Sequence, residues 1–308
     1  IEITGGAIKR TSSGLLQSAD ADCINYPKDR EQWVRIYLDA RQRSSSVHVP
    51  LFTGLAMAPD EETDMAKSEM TVQCYSVLKP ADDVALLRGW YAPAGSIGAE
   101  VIKQLLSVCP APVVVSGNSP SLYSSIVAED GETRLTMAEK VLAAINWKLR
   151  IDGMGTIFIE PFKLQSVATL DPVEFDIIEP PIKIECDWYS IPNVYLAVSD
   201  DVSAIAKDES ETSPLSTVNR GREIWMTETN CDYAQGETIA EYAMRKLKEA
   251  QRKVKEVSYN RRYLESVYPL DIIRLHYPKQ GLDGLYIVES QSIDLGYNAR
   301  TSEKVMEV

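Results

Sequence analysis

The spacing of apolar residues changes along this chain, and that change constrains its fold more than any single motif does. In residues 31–40, Val34, Ile36 and Leu38 alternate with Trp33, Arg35, Tyr37 and Asp39. A period of two sends one set to a core and the other to solvent, which is the pattern of a half-buried strand. Residues 71–78 do the same, with Val72, Cys74 and Leu78 on one side. Between them, the apolar run VPLFTG (49–54) is strand-sized and its glycine reads as a turn, while the acidic stretch 58–67 reads as a hairpin loop. The period then becomes helical. Val101, Ile102, Leu105 and Leu106 share one face of a helix over 96–108, which Pro110 and Pro112 end. A second helix is expected over 136–150, with Thr136 and Glu139 as its capping box and Val141, Leu142, Ile145 and Leu149 as its apolar stripe. Asp152-Gly153 then turns the chain into a strand over 155–161, with Ile157 and Ile159 on one face.

Beyond residue 170 the pattern returns to strands. Pro172, Pro180, Pro181 and Pro192 limit the strands between them and favour sheet edges. Val194, Leu196 and Val198 alternate, and 200–213 reads as a polar loop. A third helix is expected over 236–257, with Thr238 and Glu241 as its capping box. Its narrow stripe is Ile239, Ala243, Leu247, Ala250, Val254 and Val257, and the rest of its surface is charged, including Arg245, Lys246, Lys248, Arg252, Lys253 and Lys255. Strands over 271–276, 285–295 and 304–308 follow, with turns at 281–284 and at Gly296-Tyr297-Asn298.

With 308 residues the chain exceeds one ordinary core. The expected fold is therefore α+β, mostly β: two small antiparallel β-barrel-like domains flanking a small α+β domain. The boundaries fall at 1–88, 89–170 and 171–308, the last holding an acidic β segment, the amphipathic helix and the second barrel-like domain. The sequence starts at Ile1 rather than Met, which points to a chain that begins inside a longer protein or after a processed leader. On that reading the first β domain is N-terminally incomplete.

Chemistry is sparse. The histidines, His48 and His276, each stand alone in the sequence beside apolar or aromatic neighbours. There is no nucleophile elbow, zinc-protease helix or phosphate loop. Gly153 and Gly155 form a GxG that a strand follows, which does not suit a dinucleotide. Counting a calcium loop from Asp200 puts Glu211 twelfth, but Ile205 occupies the glycine position and Val202 and Ala204 occupy ligand positions. The five cysteines, Cys23, Cys74, Cys109, Cys186 and Cys231, are odd in number and widely spaced, so they read as buried reduced thiols rather than a disulfide frame or zinc site. No catalytic, cofactor-binding or metal-binding residue is assigned. The net charge is −13, and residues 171–211 hold 2 basic and 11 acidic side chains of it. Such a balance repels nucleic acid at long range and argues against sequence-specific DNA binding. No apolar run reaches the roughly 20 residues of a membrane helix.

The C-terminal third carries a resemblance. The helix ETIAEYAMRKLKEAQRK leads into YLESVYPLDIIRLHYP, then GLDGLYIVES and the last hairpin QSIDLGYNARTSEKVMEV. This order resembles the baseplate hub proteins of phage tails and related contractile injection systems, with Pro269, Asp271, Gly284, Tyr286 and Ile287 in the matching places. Phe52, Gly54, Ser76 and Leu78 match the first hub barrel, and NWKLRIDGMGTIFIEPF resembles the helix-turn-strand between the barrels. The likeness covers about two thirds of the chain, and residues 171–211 match nothing in it. It implies a non-enzymatic structural subunit of a virion or prophage tail, assembled in the bacterial cytoplasm. It also implies a homotrimer whose two barrels per chain form a ring. The implied neighbours are the tail tube, tail-tip spike and baseplate proteins, with DNA or effectors passing without specific binding. Two rival readings stay open: a tail-associated hydrolase of cell-wall polysaccharide or peptide, and a host-surface or carbohydrate-binding module using Trp188 with Tyr189, or Tyr259 with Tyr263.

Overall fold

The computed structural model describes residues 3–24, 26, 30–42, 45–57, 60–64, 67–170, 178–199, 202–278, 281–296 and 300–308. The N-terminal strands are β1 (Ile3–Thr11), β2 (Gln17–Ile24), β3 (Gln32–Gln42), β4 (Ser45–Ala56), β5 (Asp60–Asp64) and β6 (Lys67–Ser76). The middle holds β7 (Tyr91–Ala92), β8 (Val113–Val115), β9 (Ile126–Val127), β10 (Trp147–Ile151) and β11 (Ile157–Pro161), with helices Gly98–Leu105 and Arg134–Ile145. Then come β12 (Ser166–Leu170), β13 (Ile178–Cys186), β14 (Val194–Ser199), β15 (Val202–Lys207) and β16 (Trp225–Thr229). The helix Ile239–Gln251 leads to β17 (Lys255–Arg262), β18 (Ile272–Tyr277), β19 (Leu282–Asp294) and β20 (Arg300–Glu307). The protein is α+β and mostly β, as the periodicity predicts.

One sheet joins the two ends of the chain. Its path is β13-β17-β20-β19-β1-β2-β6-β4-β3, with β5, β12 and β18 paired beside it. The link is β1 against β19, antiparallel, from Ala7 opposite Asp294 to Thr11 opposite Ser290. Two separate cores lie on this sheet. Ile8, Ala19, Ala21, Phe52, Val72 and Ile293 belong to one, and Val257, Tyr259, Tyr286, Val288 and Val305 to the other. Ile293 is thus a C-terminal residue in the N-terminal core. Two smaller sheets carry their own helices. β10-β11-β8 packs with the helices Gly98–Leu105 and Arg134–Ile145 around Ile102, Val141 and Ile157. β15-β14-β16 packs with the helix Ile239–Gln251 around Tyr195, Ala197 and Leu247.

Several expectations shift. The helix read over 136–150 spans Arg134–Ile145, one turn earlier, and Thr133 caps it by accepting from the Thr136 N–H while Thr136 Oγ1 accepts from the Thr133 N–H. Asn146, at φ 54°, ends it, and Leu149 becomes a strand residue in β10. Gly54 is no turn. It lies within β4 opposite Val34 and Ser76, where a Cβ would collide with the Tyr75 carbonyl oxygen and the Phe52 ring. Gly284 likewise lies within β19, opposite Leu275. The acidic stretch after residue 58 forms the strand β5 rather than a loop, and half of the polar stretch 200–213 forms β15. In β14 the expected stripe holds only in part: Val194 is buried, but Leu196 and Val198 are half-buried, while Tyr195 and Ala197 are buried under the helix. The third helix keeps its Thr238–Glu241 box but stops at Gln251, so Val257 packs from a strand. Pro172, Asp200, Asp201, Tyr297 and Asn298 lie outside the described residues.

Among the described residues, no helix is long and apolar enough to cross a membrane. The five cysteines are free thiols; four are buried, and Cys186 is exposed, contrary to the expectation. Burial pushes the Cys74 thiol up to about 12 and the Cys109 thiol to about 11, which keeps both protonated and inert at neutral pH.

Candidate functional site

The junction of the two β cores is the most heavily built polar place in the chain. Register brings Arg10, Gln291, Glu303 and Tyr259 side by side across β1, β19, β20 and β17. These positions share the core-facing side of the sheet, so a polar row interrupts an otherwise apolar face. Glu303 is the hub of that row. Arg261 Nε donates to Glu303 Oε2 at 2.8 Å and Nη2 to Oε1 at 2.6 Å. Tyr259 Oη donates to Oε2 at 2.6 Å, and Gln291 Nε2 to Oε1 at 2.7 Å. The Arg261 and Glu303 side chains are 1% and 0% exposed, so neither ion is tolerable without the other. Burial, then the Glu303 charge, holds the Tyr259 phenol far above its ordinary value. Such a phenol is a hydrogen-bond donor and not a base.

A second polar lock ties the middle unit to the C-terminal strands. Lys148 in β10 reaches Asp271 at 2.6 Å, Glu160 at 3.5 Å and the Leu270 carbonyl at 3.3 Å. Asp271 Oδ2 also accepts from the Tyr268 N–H at 2.9 Å. The sequence pattern places Lys148 in the helix expected over 136–150; in the fold it is a buried strand residue.

A cleft of about 660 Å³ separates the two α+β units, lined among others by Lys140, Glu228, Cys231, Tyr242 and Lys246. Glu228 accepts hydrogen bonds from both Tyr195 Oη and Tyr242 Oη, the latter at 2.9 Å. Burial and the Glu228 carboxylate raise both phenols well above their ordinary range. Burial likewise raises the Cys231 thiol. Every shift here disfavours the reactive, ionised form.

The histidines do have partners, which the sequence reading missed. His48 is opposite Asp39 in the β3–β4 register, with Nδ1 hydrogen-bonded to Asp39 Oδ1 and the ring stacked 4.0 Å from Tyr37. His276 is opposite Asp283, with Nδ1 3.1 Å from Oδ1. Hairpin register is the signal that would have found them. Both are exposed surface pairs, and among the described residues no serine or cysteine is hydrogen-bonded to either ring. Groups of three or more His, Cys, Asp or Glu able to hold a metal are not found among the described residues. In the basic helix Arg245 is held by Glu237 at 2.9 and 3.1 Å and by Glu249 at 3.3 Å, and Lys246 lies 3.7 Å from Glu249.

The opposite, open side of the long sheet carries hydroxyls and paired charge. Lys9, Lys183 and Lys304 line a groove of about 540 Å³ there, with Ser258, Ser292 and Ser302. Each lysine has a carboxylate: Asp20 at 3.3 Å for Lys9, Glu185 for Lys183, and Glu256 at 2.7 Å for Lys304.

Comparison by sequence finds no matching family model and no matching curated protein. Comparison by structure finds close likeness along the whole chain. The tail protein from Neisseria meningitidis MC58 aligns over 99% of this chain and 92% of its own, with a TM-score of 0.71 and 14% identity. The 43 kDa tail protein of prophage MuSo2 from Shewanella oneidensis aligns over 99% and 94%, with a TM-score of 0.66 and 13% identity. The E. coli c3393 protein, a component of the type VI secretion system described as structurally similar to the T4 bacteriophage tail proteins gp27 and gp5, aligns over 100% and 74%, with a TM-score of 0.57 and 6% identity. The described residues therefore have the fold of phage tail proteins.

Proposed function

We propose that this protein is a structural hub subunit of a phage tail or tail-like injection machine, without enzymatic activity. Three copies form a ring that joins the tail tube to the tip, with tube, spike and baseplate proteins above and below, in the virion tail. The observation that carries this reading is the continuity of the sheet through β1 and β19. One chain offers two β cores on a single sheet, and residues 1–88 and 171–308 act as the two barrel-like domains around the unit 89–170. The path ends at β3 and β13, which pair only with β4 and β17 among the described residues. Free edges at opposite ends of one sheet are the geometry that a head-to-tail ring closes. Fold likeness to tail proteins, over nearly their whole length, agrees with it. Likeness to a chain of the PdpA–VgrG complex, of which this chain spans 60%, supports a place beside a tip spike.

Passage of DNA without retention is supported by the open side of the sheet. A phosphate adds affinity when a free lysine or arginine neutralises it and releases the counterions condensed on the nucleic acid. Lys9, Lys183 and Lys304 already have carboxylate partners, and the net charge of −13 repels at longer range. Light scattering on the purified chain tests the assembly: a mass three times 34.3 kDa supports the ring, and a monomer at every concentration counts against it. Binding to duplex DNA at about 0.15 M salt, where the Debye length is roughly 8 Å, tests the passage; salt-sensitive retention contradicts it.

A further inference from the structure

We infer that one ordered water molecule occupies the small pocket between the buried side chains of Arg10 and Gln17, accepting from the guanidinium and donating to the Gln17 side-chain oxygen. Arg10 is 1% exposed and Gln17 4%. Arg10 Nη2 donates to the Leu51 carbonyl at 2.9 Å, and its guanidinium lies 4.6 Å from the centre of the Tyr268 ring. A ring face attracts the flat side of a guanidinium, but it offers no acceptor to the N–H groups in the guanidinium plane. Arg10 Nε and Nη1 have no partner among the described residues, and neither has Gln17 Oε1, although Gln17 Nε2 is committed to the Ile151 carbonyl at 2.6 Å. Buried donors and acceptors of this kind are satisfied in native proteins by chain or by water.

Both residues line the same pocket, of about 10 Å³, together with Leu149, Ile151, Tyr268 and Leu270. That is about the space one water needs. The donor and acceptor pattern selects water over an anion. A halide would accept from Arg10 but could not donate to Gln17 Oε1, and would be repelled by it. The water would bridge β1 and β2, beside β10 and the segment before β18, at the place where the two β cores and the middle unit meet.

A crystal structure at about 1.5 Å resolution tests this, together with a bromide-soaked crystal measured for anomalous scattering. The expected result is a single peak about 2.7–3.2 Å from an Arg10 nitrogen and from Gln17 Oε1, with no bromide signal there. Absence of the peak, or a bromide peak in its place, overturns the inference. In Gln17→Met the peak should vanish and the Tm should fall by about 3 °C. A variant that keeps the peak with an unchanged Tm also overturns it.

Discussion

Glu303 and Glu228 are both glutamates in a strand that accept hydrogen bonds from tyrosine hydroxyls, yet they sit in opposite settings. Glu303 is fully buried at the junction of the two β cores, and a bidentate arginine neutralises it. Glu228 opens onto a cleft and has two tyrosines but no ion pair among the described residues. The first is an ion pair the fold cannot do without, since either half alone would be a buried charge. The second is a carboxylate that water can reach, useful for satisfying two buried phenols. Depth, not residue type, decides what each carboxylate is worth.

The largest effect should come from breaking the deeper pair. Arg261→Met leaves Glu303 as an uncompensated buried charge and should cost about 3–5 kcal/mol in chemical denaturation. Arg261→Met with Glu303→Leu should recover part of that loss, because the second change removes the orphaned charge. A double variant worse than the single one would break the comparison.

Lys148 sits between the two extremes, 8% exposed beside an Asp271 that is 9% exposed. Lys148→Met should cost about 2 kcal/mol, because Asp271 keeps its bond from the Tyr268 N–H. Glu228→Gln should cost only about 1 kcal/mol. Its clearer readout is spectroscopic: with the negative charge gone, Tyr195 and Tyr242 should begin to ionise at lower pH in an ultraviolet titration. An unchanged titration would mean that burial alone sets both phenols.

The exposed pair should matter least. The His276 hydrogen bond holds the Asp283 carboxyl below its ordinary 3.8. A lowered carboxylate value means stability that is present above the unfolded value and lost as pH falls through the folded one. His276→Ala should therefore lower the midpoint of denaturation slightly at pH 7 and shallow its decline as pH falls below 3.8. A large loss at pH 7 would show that depth does not rank these sites.

The sequence made local structure legible and long-range pairing not. Val34, Ile36 and Leu38 announced β3, and Thr238 with Glu241 announced a helix start, because both signals lie within a few residues. Residues 147–150 read as helix because Leu149 continues the spacing of Leu142 and Ile145; only the left-handed backbone at Asn146 separates the two. Thr136 with Glu139 fits a capping box as well as the Thr133–Thr136 box that forms, so pattern alone could not choose. The junction was out of reach for a different reason. Nothing near Arg10 in the chain says that Gln291 lies opposite it. One clue was there: Arg261 continues the parity of Val257 and Tyr259, and Glu303 that of Val305, so charge falls on the apolar side of both strands. A charged residue in phase with a core stripe is a call for a buried partner. The fold class and tail-hub likeness were readable from the order of weak motifs, and the paired histidines become visible only once hairpin register is known.

The central claim is a ring built from a sheet that runs through both halves of one chain. Electron cryomicroscopy of the assembled tail tests it most directly. The account predicts three copies around the tail axis, between tube and tip, with β3 of one copy beside β13 of the next. A different copy number, a place away from the axis, or outward-facing β3 and β13 edges would contradict it.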